Sequence, residues 1–177
     1  MDASFDLAAL LLRGVLGVVM LAHGINHVWG SGGIEGTDRW FDSLGMHPSR
    51  FHAWLASITE IVSGALLVVG FLTPLAASGA VGVLTVAWIT NHLDAGFFVF
   101  RRPTEGWEYI LTLVVIAAAV GALGPGAWSL DALFDLADRL DGWSGFVTAI
   151  GAGWLGAGLV LAVFWRPDPD DAPERDG

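Results

Sequence analysis

The sequence predicts an all-α integral membrane protein, and three observations carry that reading. Hydrophobic residues make up 54% of the 177 and charged residues only 15%, too few to cover a soluble domain of this length. Apolar runs such as LAALLLRGVLGVVMLA at 7–22 recur down the chain, and about 20 such residues match the hydrocarbon core of a bilayer. Polar or turn-forming stretches separate the runs, and together they set the number of crossings at five.

The first span is expected from about Phe5 to Trp29. It lacks a basic leading region, its apolar part exceeds that of a secretory signal, and no AxA-like site follows HGINHVW, so it reads as a retained span. The connection GSGGIEGTDRWFDSLGMHPSR is long enough for a short interfacial helix at DRWFDSLG, 38–45. Span two covers about Phe51 to Leu72, and Thr73-Pro74 turns the chain, with Pro74 suited to opening the next helix. Span three runs from about Leu75 to Leu93, DAGFFVFRRPTEG follows, and span four covers about Trp107 to Leu123. After GPG at 124–126, SLDALFDLADRLDG places Leu130, Leu133, Phe134, Ala137 and Leu140 on one helical face and Asp131, Asp135 and Asp138 on the other. That pattern predicts a helix lying at the membrane surface or packed on the bundle as a solvated connector. Span five, about Trp143 to Trp165, is rich in glycine and alanine, which allows close helix contact. Five of the 18 acidic residues fall in the last ten, so 166–177 reads as a disordered acidic tail.

Cysteine is absent, which removes disulfides and thiolate chemistry. All eight basic residues are arginine against a net charge of −10, and nothing points to nucleic acid. Arg39, Arg50, Arg101, Arg102 and Arg166 lie toward one membrane side and only Arg13 and Arg139 toward the other near the spans. The positive-inside tendency therefore predicts a cytoplasmic first connection and an amino terminus outside. Arg13 is deeper than a headgroup anchor should be, unless it snorkels or pairs inside the bundle. The tryptophans at 29, 40, 54, 107, 128, 143 and 165 fall near span ends and read as interface anchors.

Antiparallel crossings gather the end of span one, the start of two, the end of three and the start of four on one side. That side holds His23, Asn26 and His27 of HGINH, His52, Glu60, Asn91, His92, Asp94, Glu105 and Glu108. The other side offers little beyond Arg13, Thr73, Ser78 and surface aspartates, so the polarity reads as one-sided. A bare carboxylate in lipid is costly, so Glu60 should face inward with a partner or a proton. By helix rise, Glu60 lies about 14 Å and His23 about 9 Å inside their span ends, which suggests a His23–Glu60 contact. Glu108 could join from span four near the interface, while His47 and His52 are expected to meet solvent or headgroups. Each member also has a plain structural reading as a helix-packing or capping group.

The cluster is compatible with several chemistries. An i, i+4 histidine pair with a carboxylate can ligate a divalent metal, though the acidic partner of HExxH is missing. The same groups can hydrogen-bond a quinone carbonyl and move its proton. Axial haem ligation is permitted but not specified. A small-molecule transporter would need a route to both faces.

Four stretches carry a family resemblance: LLRGVLGVVMLAHGINHVWG at 11–30, ITEIVSGALLVVGFLTPLAA at 58–77, GWEYILTL at 106–113 and LGPGAWSLD at 123–131. In these the chain resembles the DoxX family of small bacterial membrane proteins. The resemblance implies a DoxX-like four-helix bundle over 1–131, here extended by an amphipathic interfacial connector at 132–142, a fifth transmembrane helix at 143–165 and the tail. It implies a multi-pass protein of the bacterial inner membrane, with His23, Glu60 and Glu108 at the family's polar positions. Beside them, Asn26, His27, Asn91 and His92 are the candidate cofactor-binding residues. Family members include a subunit of a thiosulfate:quinone oxidoreductase and a component of a membrane assembly connected to oxidative stress. The expectation is a redox-associated, quinone-linked membrane subunit working with other membrane or peripheral subunits. The alternative is a non-catalytic assembly or scaffold subunit, with the fifth span as a docking surface or a packing extension.

Overall fold

The computed structural model describes residues 2–100, 105–137 and 141–167. The chain is helical, and its apolar helices are long enough to cross a bilayer in four places: Ala3–Trp29, Ser49–Val69, Thr73–Ala95 and Gly142–Phe164. A fifth apolar helix, Glu108–Leu123, has 16 residues and spans about 24 Å. This is a multi-pass membrane protein, and the large apolar side chains on its outer surface, among them Leu11, Val18, Val62, Leu75, Val115 and Leu159, face lipid.

Helix α1 (Ala3–Trp29) begins at Asp2, whose carboxylate accepts the Ser4 amide at 3.4 Å. It packs most closely on α3 (Ser49–Val69), and the reason is a lack of side chains. A Cβ on Gly17 would stand 2.7 Å from the Gly64 carbonyl oxygen, and one on Gly24 would stand 2.8 Å from that of Ser57. Small residues let two helix backbones approach where hydrophobic burial gives no drive. Between these helices lies α2 (Gly33–Ser43), which turns Ile34, Thr37 and Phe41 inward at helical spacing. It begins earlier than the 38–45 the sequence suggests, because Gly32 adopts a left-handed conformation that opens it and Gly45, also left-handed, follows its end. The Ser49 hydroxyl donates to Asp38 at 2.7 Å, and Arg50 approaches Glu35 and Asp38. Both contacts tie α2 to the start of α3.

Helix α3 stops at Gly70, whose left-handed φ of 66° lets its amide reach back to Leu66 and Leu67. Helix α4 (Thr73–Ala87) starts three residues later and occupies the centre of the bundle, with Ala76, Ala77, Ala80 and Val81 fully enclosed. It continues through a π-helical turn, Trp88–His92, and a 3₁₀ turn, Leu93–Ala95. Helix α5 (Glu108–Leu123) follows, then a single turn, α6 (Leu130–Leu133). The fifth span is α7 (Gly142–Val147), a π-helical turn at Thr148–Ala152, and α8 (Gly153–Phe164).

The surface helix expected after GPG forms only in part. Asp131 is fully buried instead of solvated, because α4 has no cap of its own. Its two carboxylate oxygens accept the amides of Leu72 at 2.7 Å and Thr73 at 2.9 Å, and the Thr73 hydroxyl at 2.8 Å. An acid at a helix N-terminus satisfies orphan amides and complements the helix dipole; here it does so from 58 residues away. It also secures Leu72, held at the left-handed φ of 48°. Asp135 takes a left-handed φ of 57°, which ends the helical run there, and Asp138, Arg139 and Leu140 lie outside the described residues, as does the tail at 168–177.

Arg13 does not snorkel. It is 1% exposed and donates to the carbonyls of Leu67, Val68, Pro125 and Trp128. Asp6 accepts the Ala127 amide at 2.7 Å in the same region. The one-sided polarity read from the sequence is therefore corrected. This end carries a buried network, invisible in composition because most of its partners are backbone groups. Removing one member of a buried charged network typically costs about 3–5 kcal/mol. Asp131→Ala is expected to lose that order of stability, measured as a lower midpoint in denaturant unfolding in detergent; an unchanged midpoint would show that the α4 terminus is capped by other means.

Candidate functional site

At the opposite end the polar groups meet a cavity of about 300 Å³. Its floor is α4, contributing Ser78, Gly79, Gly82, Val83, Val86 and Thr90. One wall is α3, through His52, Leu55, Thr59 and Glu60, and the facing wall is α8, through Gly153, Gly156, Ala157 and Val160. Trp40, Phe41 and Leu44 cover it from α2 and its end, and His27 enters from α1.

His27 Nε2 stands 3.5 Å from Glu60 Oε2, and its ring stacks on Trp40 with centroids 5.7 Å apart and planes 16° apart. The expected His23–Glu60 contact is thus corrected by one helical turn: His27 is the histidine that reaches Glu60. His23 and Asn26 are exposed on the outer surface of α1. A shift of four residues changes the depth and turns the helix by about 40°, enough to leave His23 outside, and depth was the quantity least determined by apolar run lengths.

The separation in the His27–Glu60 pair is long for a hydrogen bond, and Glu60 Oε2 has no hydrogen-bond partner although Glu60 is only 6% exposed. His52 is 2% exposed and its Nε2 is also unpartnered. Its ring packs edge-on to Phe51 and Phe164, at 5.1 and 4.8 Å. The expectation that His52 meets headgroups is therefore corrected: α2 and the end of α8 enclose it. His47 does remain at the surface, 3.5 Å from Asp42. Spacing could have revealed His52, since it stands at i−8 to Glu60, two turns along the same stripe of α3.

The remaining candidates hold a loop. His92 Nδ1 lies 2.6 Å from the Glu105 carbonyl oxygen, and its Nε2 lies 2.9 Å from the Asn91 amide nitrogen. Glu108 accepts the Val99 amide at 3.1 Å. These three side chains close the connection between α4 and α5 and do not line the cavity. The tryptophans divide similarly. Trp29, Trp54, Trp128 and Trp143 are exposed at span ends, whereas Trp107 stacks on Trp88 at 5.3 Å.

The fifth span is part of the site. A Cβ on Gly153 would stand 2.7 Å from Val81 Cβ, so α8 can press against α4 only because that residue is glycine. Its far end is stitched to the connection between α2 and α3. The amide of His47 donates to the Phe164 carbonyl at 3.1 Å, that of Arg166 to Gly45 at 2.7 Å, and Trp165 Nε1 to Leu44 at 3.0 Å. Among the described residues no three of His, Asp and Glu converge closely enough to hold a metal ion. The cavity offers instead an apolar chamber with a few hydrogen-bonding atoms, the usual form of a small-molecule site.

The DoxX family model matches residues 8–93, which include His27, His52 and Glu60 and end before Glu108. Of curated proteins, one from Bacillus subtilis (strain 168), described as a candidate oxidoreductase and called CatD, is 33% identical over 122 residues, covering 68% of this chain and 83% of its own length. No solved structure matches significantly. With the helical bundle and these likenesses together, the chain belongs to the DoxX family.

Proposed function

We propose that the protein is a redox-associated membrane component that binds a quinone in the cavity between α3, α4 and α8. The observation that carries the reading is the pair of unpartnered polar atoms, Glu60 Oε2 and His52 Nε2, on side chains lining a mainly apolar chamber. An unmade hydrogen bond on a buried group costs about 1–3 kcal/mol, and a bound ligand removes that cost. The two residues are separated by about 12 Å of helix rise, a spacing suited to a flat apolar body with an oxygen at each end. The oxidoreductase description of the Bacillus relative adds support for redox work.

A quinone, when bound, supplies a carbonyl–hydroxyl couple that takes up electrons together with protons. Electrons then come from a separate donor protein. The chain's own residues do the rest. Glu60 Oε2 is the atom placed to hold or release a proton at the cavity wall, and His27 Nε2, 3.5 Å away, is the group that exchanges a proton with it. Trp40 fixes the imidazole plane by stacking, and the Thr37 hydroxyl, bonded to the His27 carbonyl at 2.8 Å, fixes the end of α1. The apolar walls exclude water from the exchange. The arginine distribution assigns this end to the cytoplasmic side, in the inner membrane of a bacterium. One observation favours a second role as an assembly subunit: His23 and Asn26 lie exposed on a lipid-facing helix, where a neighbouring subunit would cover them.

The test is purification in mild detergent with mass spectrometry of the lipid extract. A stoichiometric quinone is expected in the wild type and at least about tenfold less in Glu60→Gln, the loss of roughly one hydrogen bond donated by the Glu60 carboxyl group. Equal quinone retention in both proteins would remove Glu60 from the site. A companion measurement separates binding from folding. His52→Phe keeps the aromatic contacts with Phe51 and Phe164 while deleting the orphaned nitrogen, so the ligand-free protein is expected to unfold at an equal or higher temperature. A clear drop in that temperature would assign His52 a structural hydrogen bond.

A further inference from the structure

The route into the cavity is not symmetric. On the side toward the ends of α1 and α8, access is covered by α2 and by the three hydrogen bonds that stitch Leu44–His47 to Phe164–Arg166. The residues of α3 and α8 touch there, where the His52 ring meets Phe164. Beyond that contact α3 and α8 pack mainly on α4 rather than on each other. Between them the cavity-lining residues Leu55, Ala152 and Gly156 are exposed on the outer surface. Gly156 lies about 12 Å of helix rise from Phe164, and Leu55 about 9 Å from Ser49, so the opening sits within the hydrocarbon depth. A Cβ on Gly156 would meet nothing within 4 Å, so the space above it is free.

We infer that the cavity is loaded sideways from the bilayer, through a portal between α3 and α8, and that its ligand is a tailed amphiphile. Its headgroup meets Glu60 and His52, and its hydrocarbon chain passes over Gly156 into the lipid. Two independent features converge on this assignment. The chamber holds polar atoms on side chains more than nine-tenths buried and left without partners, which call for a hydrogen-bonding headgroup. Its mouth is lined by leucine, alanine and glycine, and the Thr59 hydroxyl beside them is already bonded to the Leu55 carbonyl at 2.7 Å, so a hydrocarbon chain crosses it without leaving a polar group unpaired. A tail-free, water-soluble molecule would have to cross hydrocarbon to reach the same opening. The π-helical turn at Thr148–Ala152 brings the start of α8 to this mouth, and such turns are frequent where helices serve a site. The identity of the headgroup rests on the quinone reading; the portal rests on the geometry of α3 and α8.

The chain has no cysteine, so Gly156→Cys carries a unique attachment point for a nitroxide spin label. The labelled protein, reconstituted in phospholipid bilayers, is examined by electron paramagnetic resonance with oxygen and with a water-soluble nickel chelate as relaxing agents. Stronger relaxation by oxygen is expected, with spectral broadening on addition of a decyl-tailed benzoquinone and none with its tail-free parent. Stronger relaxation by the nickel chelate would place the mouth in water and overturn the portal. Equal broadening by both quinones would overturn the path of the tail over Gly156. Relaxation by oxygen with no response to either quinone would uphold the portal and overturn the quinone headgroup. Ala152→Cys, labelled in the same way, gives the same readout should the first variant fail to fold.

Discussion

Hydrocarbon supplies no hydrogen bonds, so each polar group inside a membrane bundle must find its partner in protein or in a ligand. The two ends of this molecule meet that demand in opposite ways. At one end Arg13, Asp131 and Asp6 bond to backbone groups, and these hydrogen bonds hold the junctions between helices. At the other end Glu60 and His52 keep an atom each without a partner, within a chamber large enough for a small molecule. The closed end makes the open end tolerable: a bundle with α3 and α4 fixed at their junction can carry the cost of unmade bonds elsewhere.

Much of the fold was legible because the membrane leaves so few options. Apolar run length and turn residues locate the four long apolar helices and the shorter Glu108–Leu123 to within several residues, and the alternation of crossings gathers HGINH and Glu60 on one side. The DoxX resemblance was legible too, and two of its four stretches, 11–30 and 58–77, lie inside the matched segment. The failures share a cause. Asp131 lies in a pattern with a good amphipathic period, and period alone does not reveal that the amides at Leu72 and Thr73 lack a local cap. His23 and His27 are one turn apart on neighbouring faces of α1, so the choice between them depends on axial depth and a modest rotation, which a run of apolar residues fixes poorly. His52 looked like an interfacial residue because its burial depends on α2 and on Phe164, one more than a hundred residues away. Contacts of that reach leave no local signature beyond the helical spacing from Glu60.

The part played by small residues was only half visible. Glycine in span five suggested close packing, and Gly153 does press on Val81. Gly156 and Gly158 meet nothing, so the same residue type serves contact at one position and open space at the next. Composition cannot separate the two, since both need the absence of a side chain.

The origin of the cavity walls bears on how such a protein can diverge. Every side chain with a polar atom at the cavity, from His27 through Thr90, falls inside the segment matched to the family, 8–93. The fifth span adds only Ala152, Gly153, Gly156, Ala157 and Val160, which supply shape and no functional groups. The polar groups and the shape of the cavity are thus encoded in separate stretches of the chain. A single exchange among the small residues of α8 can resize the chamber for a different ring or chain while the acid and the imidazoles stay untouched.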